Sequence, residues 1–131
     1  MSKLKVLVVD DHKMIRDGIK SILQKEKSYE VIGEASNGVE ALKIINNKEV
    51  DLVIMDIQMP NMDGLEATEY IRRDTRYDQM PIVAMSAHAM EGDREISLQN
   101  GMDDHITKPI DPSLLYTTLN YWLGQRGETN A

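Results

Sequence analysis

Strand-like and helix-like hydrophobic patterns alternate five times along the chain. Short apolar or alternating runs predict strands at residues 4–9, 29–35, 50–55, 81–85 and 104–107. Apolar residues at helical spacing predict helices at 12–25, 39–47, 65–73, 90–100 and 112–123. Asp111 is expected to cap the last helix ahead of Pro112, and Gly101 to close the fourth. In the second strand, the alternation predicts that Val31 and Gly33 share a face.

The order of these elements indicates an α/β protein with a parallel sheet. The first, third and fourth strands are continuous apolar runs, as expected of strands buried on both faces, whereas the second and fifth are more polar. Placing the polar strands at the edges gives the order 2-1-3-4-5, a flavodoxin-like sheet with helices on both faces. We expect one domain at residues 1–124, followed by a polar tail at 125–131.

The composition fits a single domain in water. With 131 residues, 28% charged and 41% hydrophobic, the chain is long enough for one core. Its apolar runs are far shorter than the ~20 residues of a membrane span, and its start lacks a signal-peptide pattern, so we expect a cytoplasmic protein without membrane contact. The formal charge of −7 argues against direct nucleic-acid binding and favours a cationic partner or a metal ion. The lack of cysteine excludes thiolate metal sites and thiol catalysis.

Polar side chains follow four of the five predicted strands. In open α/β sheets, ligands bind beyond the carboxyl ends of the strands, where the strand order reverses. The side chains predicted at that edge are Asp10, Asp11, Asp56, Ser86 and Lys108. Three neighbouring carboxylates repel one another, so either one is protonated or a cation lies among them. Oxygen ligands without cysteine favour a hard ion, Mg²⁺ above all.

Phosphoryl transfer needs a donor or a cation for each negatively charged phosphoryl oxygen. These needs would be met by a metal ion, an ammonium group, a hydroxyl and a backbone N–H around one carboxylate. Lys108, Ser86 and Ala87 would supply the last three, and Asp56 would be the nucleophile that forms an acyl phosphate. Each residue taken alone has a simpler interpretation. Asp11 or Asp56 could cap a helix, Ser86 could lie in a turn, and Lys108 could be solvated. Their joint position at four strand ends favours the functional interpretation.

Four segments together resemble the receiver domain of bacterial two-component response regulators. They are residues 8–12 (VVDDH), 55–64 (MDIQMPNMDG), 85–87 (MSA) and 107–110 (TKPI), and the resemblance extends over about residues 4–123. It implies that Asp56 accepts a phosphoryl group from a phosphohistidine of a sensor histidine kinase or a histidine phosphotransfer domain. It also implies a signalling domain rather than an enzyme. Its fourth helix, fifth strand and fifth helix would form the face that responds, with an output domain or target on another chain.

The resemblance also assigns roles around Asp56. The Mg²⁺ ligands that it implies are Asp10, Asp11, Asp56 and the carbonyl of Gln58. The phosphoryl contacts that it implies are Lys108, Ser86, Ile57 and Ala87. The positions that tune phosphoryl lifetime in the family are held by Gln58 and His88. The peptide bond between Lys108 and Pro109 is expected to be cis.

One position departs from the family pattern. Receivers usually carry tyrosine or phenylalanine three residues before the lysine, as a switch coupled to the hydroxyl residue, and this chain has His105 there. Either the imidazole moves together with Ser86, or it simply lies half-exposed on an edge strand. Two further segments indicate different kinds of parent protein. Residues 10–18 resemble regulators with a helix-turn-helix output domain, whereas residues 101–110 resemble receivers within hybrid sensor kinases. A stand-alone receiver, a piece of a longer protein and a composite are all compatible with the sequence.

Two other function classes fit less well. A phosphatase of the haloacid dehalogenase type needs an acid two residues after its nucleophile, and that position is Gln58. A flavin- or nucleotide-binding module needs a glycine-rich loop after the first strand, where this chain has Asp10, Asp11 and His12.

Overall fold

The computed structural model describes residues 3–87 and 91–128. The strands are β1 (Leu4–Val9), β2 (Tyr29–Ala35), β3 (Leu52–Asp56), β4 (Ile82–Ser86) and β5 (Asp104–Thr107). The helices are α1 (Lys13–Gln24), α2 (Gly38–Asn47), α3 (Gly64–Arg72), α4 (Glu91–Gln99) and α5 (Pro112–Glu128), and a single 3-10 turn (Thr75–Tyr77) follows α3. All strand pairs are parallel, and the order β2-β1-β3-β4-β5 confirms the predicted sheet.

Two hydrophobic clusters cover the two faces of the sheet. On one face, α1 and α5 pack on the strands through Ile19, Leu23, Leu115 and Leu119. On the other face, α2 and α3 do so through Ala41, Ile45, Ala67 and Ile71. Every residue of β3 and β4 is buried, which is why these strands form continuous apolar runs. With both faces covered, polar chemistry is left to the edge of the sheet where the strands end.

A β-bulge interrupts the pairing of β1 with β2. Val6 pairs with Val31, but Leu7 pairs with Gly33, so Ile32 is an extra residue. Val31 packs into the cluster under α1 and α5, whereas a side chain at Gly33 would contact Leu7 in the opposite cluster. The prediction that Val31 and Gly33 share a face is therefore wrong, because one extra residue reverses the alternation.

Two element boundaries differ from the sequence prediction by two residues or more. β3 begins at Leu52 rather than at residue 50, because the carboxylate of Asp51 accepts the N–H of Lys5 (2.7 Å) and anchors the chain just before the strand. The last helix continues to Glu128 instead of ending at residue 123, and so passes through the predicted domain boundary. Gly124 costs a helix only about 1 kcal/mol relative to alanine and does not stop it. Among the helices that the structure describes, none has both the length and the apolar character of a membrane span.

The loop after β3 is packed so tightly that it requires glycine at position 64. A Cβ atom there would lie 2.3 Å from the carbonyl oxygen of Asp56 and 3.0 Å from the Cα atom of Ile57. These are backbone atoms, which cannot move aside without displacing the end of β3. Gly64 therefore lets α3 start against the strand that carries Asp56.

We expect Gly64→Ala to lower the free energy of unfolding by about 1–3 kcal/mol, the usual cost of overpacking a well-packed site. Gly18→Ala is the matched control, because Gly18 lies in α1 with nothing within 4 Å of its missing Cβ. That change should stabilise the protein by about 0.5–1 kcal/mol. Urea denaturation measures both values, and equal stability of the two variants would contradict the steric argument.

Candidate functional site

Three acidic residues and one lysine meet at the carboxyl edge of the sheet. Asp10 and Asp11 follow β1, Asp56 ends β3, and Lys108 follows β5. The Nζ atom of Lys108 lies 2.8 Å from Oδ2 of Asp10 and 3.0 Å from Oδ2 of Asp56. The side chain of Lys108 is only 14% exposed, so the interpretation of Lys108 as a solvated lysine is wrong. The chain thus brings these four predicted residues together.

Neither Asp11 nor Asp56 caps a helix. The N-cap position of α1 is occupied by His12, whose side chain makes no capping hydrogen bond. The N-cap of α3 is Asp63, whose Oδ1 accepts the N–H of Glu66 at 2.8 Å. The capping interpretation of the two acids is therefore wrong, and both carboxylates are left to the cluster.

Asp56 is a buried carboxylate held at both oxygens. Its Oδ1 accepts the backbone N–H of Gln58 at 3.0 Å, and its Oδ2 accepts from Nζ of Lys108. Burial raises the pKa of Asp56, against the opposing effect of these two hydrogen bonds. Burial lowers the pKa of Lys108, but the adjacent carboxylates of Asp10 and Asp56 outweigh it and leave that pKa raised. The result is a poorly solvated carboxylate beside a firmly charged ammonium group.

The carboxylates outnumber the cations at this edge. Lys108 contacts Asp10 and Asp56, and Asp11 adds a third carboxylate. Among the described residues, the buried Oδ1 of Asp11 has no hydrogen-bond donor. One ligand atom from each acid, together with a ring nitrogen of His12, lies within 4.8 Å of the others. An orphaned oxygen in a set of hard oxygen donors fits a divalent cation.

His12 also belongs to this cluster, although the sequence analysis did not predict it as a site residue. Its backbone N–H donates to Oδ1 of Asp10 at 2.8 Å. Its ring Nδ1 lies 3.1 Å from the same oxygen and 3.2 Å from Oδ1 of Asp11. The available signal was its position directly after two acids at a strand end.

Ser86 and His105 are in direct contact. Ser86 ends β4 and is 3% exposed, and its Oγ lies 2.8 Å from Nε2 of His105 on the neighbouring strand β5. His105 is thus in contact with the hydroxyl residue and partly exposed on the edge strand, and its movement together with Ser86 stays a prediction. This hydrogen bond links the polar edge of the sheet to its outermost strand.

The other predicted residues are placed as follows. The N–H of Ile57 donates to the carbonyl of Met85 at 3.0 Å, so this donor serves the sheet. Ala87 is exposed next to Ser86. The bond between Lys108 and Pro109 is cis, as expected. His88 lies outside the described residues.

Comparison with known proteins identifies the family. The response regulator receiver domain model matches residues 6–120. Hybrid signal transduction histidine kinase I of Dictyostelium discoideum is 43% identical over 123 residues, which is 88% of this chain but 7% of the kinase. The chain spans 7%, 31% and 13% of the length of three curated relatives with identities of 40–43%.

Two solved structures show the same architecture. One is the receiver domain of a sensor histidine kinase from Pseudomonas aeruginosa, with a magnesium ion coordinated in its active-site cleft; the TM-score is 0.84 at 32% identity, covering 94% of this chain and 99% of that one. The other is the receiver domain of a Saccharomyces cerevisiae response regulator, co-crystallised with a histidine phosphotransfer signalling protein; the TM-score is 0.82 at 30% identity, covering 92% and 88%. With its sheet order and its matching family model, the chain belongs to the receiver domains of two-component signalling systems.

Proposed function

We propose that the chain is a phosphoacceptor in a two-component phosphorelay, with Asp56 as the acceptor. The observation that best supports this is the state of Asp56, a buried carboxylate fixed between the N–H of Gln58 and Nζ of Lys108. An oxygen of Asp56 attacks the phosphorus of a phosphohistidine, the P–N bond breaks, and the donor imidazole leaves with the electron pair. The product is an acyl phosphate, so the domain stores a signal and is not a classical enzyme.

Lys108 stabilises the transfer because its ammonium group is already in place. It bridges Asp10 and Asp56, so negative charge that develops on the phosphoryl oxygens meets a cation that needs little reorganisation. The hydroxyl of Ser86 and the backbone N–H of Ala87 lie at the end of the neighbouring strand and would supply further donors. In this proposal Gln58 and His88 tune how long the phosphoryl group survives, and a contact with Ile57 would require its N–H to leave the carbonyl of Met85.

Mg²⁺ is the cofactor that we propose for this site. Asp10, Asp11, Asp56 and the carbonyl of Gln58 would hold it, and the surplus of carboxylates with an orphaned oxygen on Asp11 supports that assignment. The bound ion would supply positive charge that offsets the charge of the phosphoryl oxygens.

Phosphorylation would act through the hydrogen bond between Ser86 and His105. A phosphoryl group on Asp56 offers the hydroxyl of Ser86 a charged acceptor, and a hydroxyl that turns towards it leaves the ring of His105, which then changes its position on β5. The face made of α4, β5 and α5 responds, and it exposes apolar side chains at Ile96, Leu98, Leu114 and Tyr121. The phosphoryl group thereby biases two arrangements of one surface, which contacts a target or an output domain on another chain.

The phosphohistidine donor must approach over the edge formed by the start of α1. Met14 lies in the first turn of that helix, three residues after Asp11, and is 86% exposed. A sensor histidine kinase or a histidine phosphotransfer domain would cover this side chain. The chain charge of −7 favours a donor surface with positive charge, and direct contact with nucleic acid is not part of the proposal.

Incubation with acetyl phosphate and Mg²⁺ should add one phosphoryl group to the intact mass of the protein. Asp56→Asn should show no gain, and EDTA should abolish the gain in the wild type. Asp78→Asn, at an exposed carboxylate after the 3-10 turn, should be labelled normally. Equal labelling of Asp56→Asn would exclude Asp56 as the acceptor.

Met14→Ala should slow transfer from a phosphorylated histidine phosphotransfer domain by on the order of three- to tenfold, as for the loss of an apolar contact of about 1 kcal/mol. Labelling by acetyl phosphate should not change, because a small donor does not need this contact. Tyr70→Leu is the control, since Tyr70 is 43% exposed near the far end of α3. Rapid-quench kinetics measure the rates. Equal slowing by both changes would rule out Met14 as a donor contact.

Asp56→Asn should unfold at a higher urea concentration than the wild type at pH 7 in EDTA. The pKa of Asp56 is raised above its ordinary 3.8, so ionisation costs folding free energy as the pH rises past that value, and asparagine removes this cost. Mg²⁺ at about ten times its Kd should stabilise the wild type by about 1.4 kcal/mol and the variant by less. An Asp56→Asn variant that unfolds first in EDTA would contradict the charge argument.

A further inference from the structure

The position of His12 relative to the acids matches that of a metal ligand. Two ligands at about 2.1 Å from one ion are roughly 3.0 Å apart in octahedral geometry and roughly 3.4 Å apart in tetrahedral geometry. The ring Nδ1 of His12 lies 3.1 Å from Oδ1 of Asp10 and 3.2 Å from Oδ1 of Asp11, between these two values. Both pairs that include the nitrogen thus have the spacing of two ligands on one ion, and the ligand atoms of the cluster lie within 4.8 Å of one another.

The ring of His12 is oriented by a hydrogen bond between its Nδ1 and Oδ1 of Asp10 (3.1 Å), a contact between the same two atoms that a shared cation would join. The residue occupies the N-cap position of α1, where serine, threonine, aspartate and asparagine are favoured, and its side chain makes no capping hydrogen bond. The side chain is 66% exposed, so it does not fill the core. Both the backbone N–H of His12 and its ring Nδ1 contact Oδ1 of Asp10, so the ring is held beside the two acids.

The Oδ1 atoms of Asp10 and Asp11 and the ring nitrogen of His12 form a group of three possible metal ligands. Lys108 contacts Oδ2 of Asp10 and so leaves Oδ1 of that residue to the side of His12. Oδ1 of Asp11 is buried without a hydrogen-bond donor and faces the same nitrogen. Carboxylate oxygens suit Mg²⁺, whereas an imidazole nitrogen suits Ni²⁺, Co²⁺ and Zn²⁺.

We propose that His12 is a metal-selectivity residue, whose ring nitrogen joins Asp10 and Asp11 in binding a borderline divalent cation such as Ni²⁺, Co²⁺ or Zn²⁺. The proposal rests on the proposed role of these acids as the cation site. Mg²⁺ keeps several waters and needs only the oxygens, so its binding does not use the ring. A borderline ion uses the ring as well, and is therefore held more tightly here than by an all-oxygen site.

Calorimetric titration of the untagged full chain with NiCl₂ and with MgCl₂ tests this. His12→Ser is the variant to use, because serine is a favoured N-cap residue and the helix should be kept. It should weaken Ni²⁺ binding on the order of tenfold and leave Mg²⁺ binding within about twofold. Lys13→Gln, which changes the exposed neighbour at the first position of α1, should lower the affinity for neither ion. The visible spectrum of bound Co²⁺ should change in His12→Ser alone.

Unchanged Ni²⁺ affinity in His12→Ser would overturn the proposal, as would an unchanged Co²⁺ spectrum. Equal losses for Ni²⁺ and Mg²⁺ would overturn it too, because His12 would then only position the acids. Labelling of Asp56 by acetyl phosphate with Mg²⁺ separates the two levels of inference. If the wild type is labelled but His12→Ser binds Ni²⁺ as tightly as the wild type does, only the selectivity proposal fails. If the wild type neither binds Mg²⁺ nor is labelled, the proposed function fails with it.

Discussion

The polar edge of this protein is governed by an excess of negative charge that folding itself creates. The sheet delivers three carboxylates, Asp10, Asp11 and Asp56, to the surroundings of one ammonium group, that of Lys108. Burial removes much of the water that would otherwise solvate them, so each unpaired charge costs folding free energy. The fold can sustain that cost because its two apolar clusters lie on the faces of the sheet, away from the edge. A cation that neutralises these carboxylates relieves their mutual repulsion, and that relief contributes to the free energy of binding.

The geometry that places this charge also connects it to the outermost strand. β5 carries His105 to Ser86 and continues directly to Lys108, so one short segment contacts both the hydroxyl and the acids. The start of β5 is held elsewhere, by Arg72, whose guanidinium donates to the carbonyl of Gly101 and to the carboxylate of Asp103. The strand is thus anchored at its amino end, and its carboxyl end meets the site.

The sequence sufficed for those features that depend on local hydrophobicity and on sheet topology. Continuous apolar runs identify the buried strands. Because ligand sites in open α/β sheets lie beyond the carboxyl ends of the strands, the sequence also predicts that Asp56 and Lys108 lie close together. It did not suffice for features that depend on register or on rotamer. The bulge at Ile32 adds one residue to a strand whose pattern still alternates. The orientation of the His12 ring depends on side-chain torsions, and the contact of His105 with Ser86 depends on the pairing of distant strands. Neither produces a periodic pattern in the sequence.

The bulge in β2 bears on how the protein behaves at high concentration. β2 is an edge strand, and a regular edge offers unpaired N–H and C=O groups on which a second chain can add a strand. Here Ile32 breaks that regular row, and its carbonyl accepts Nζ of Lys48 at 3.2 Å. Glu30 adds an exposed charge on the same strand. The irregular, charged edge is therefore a poor template for the addition of a strand from a second copy of the chain.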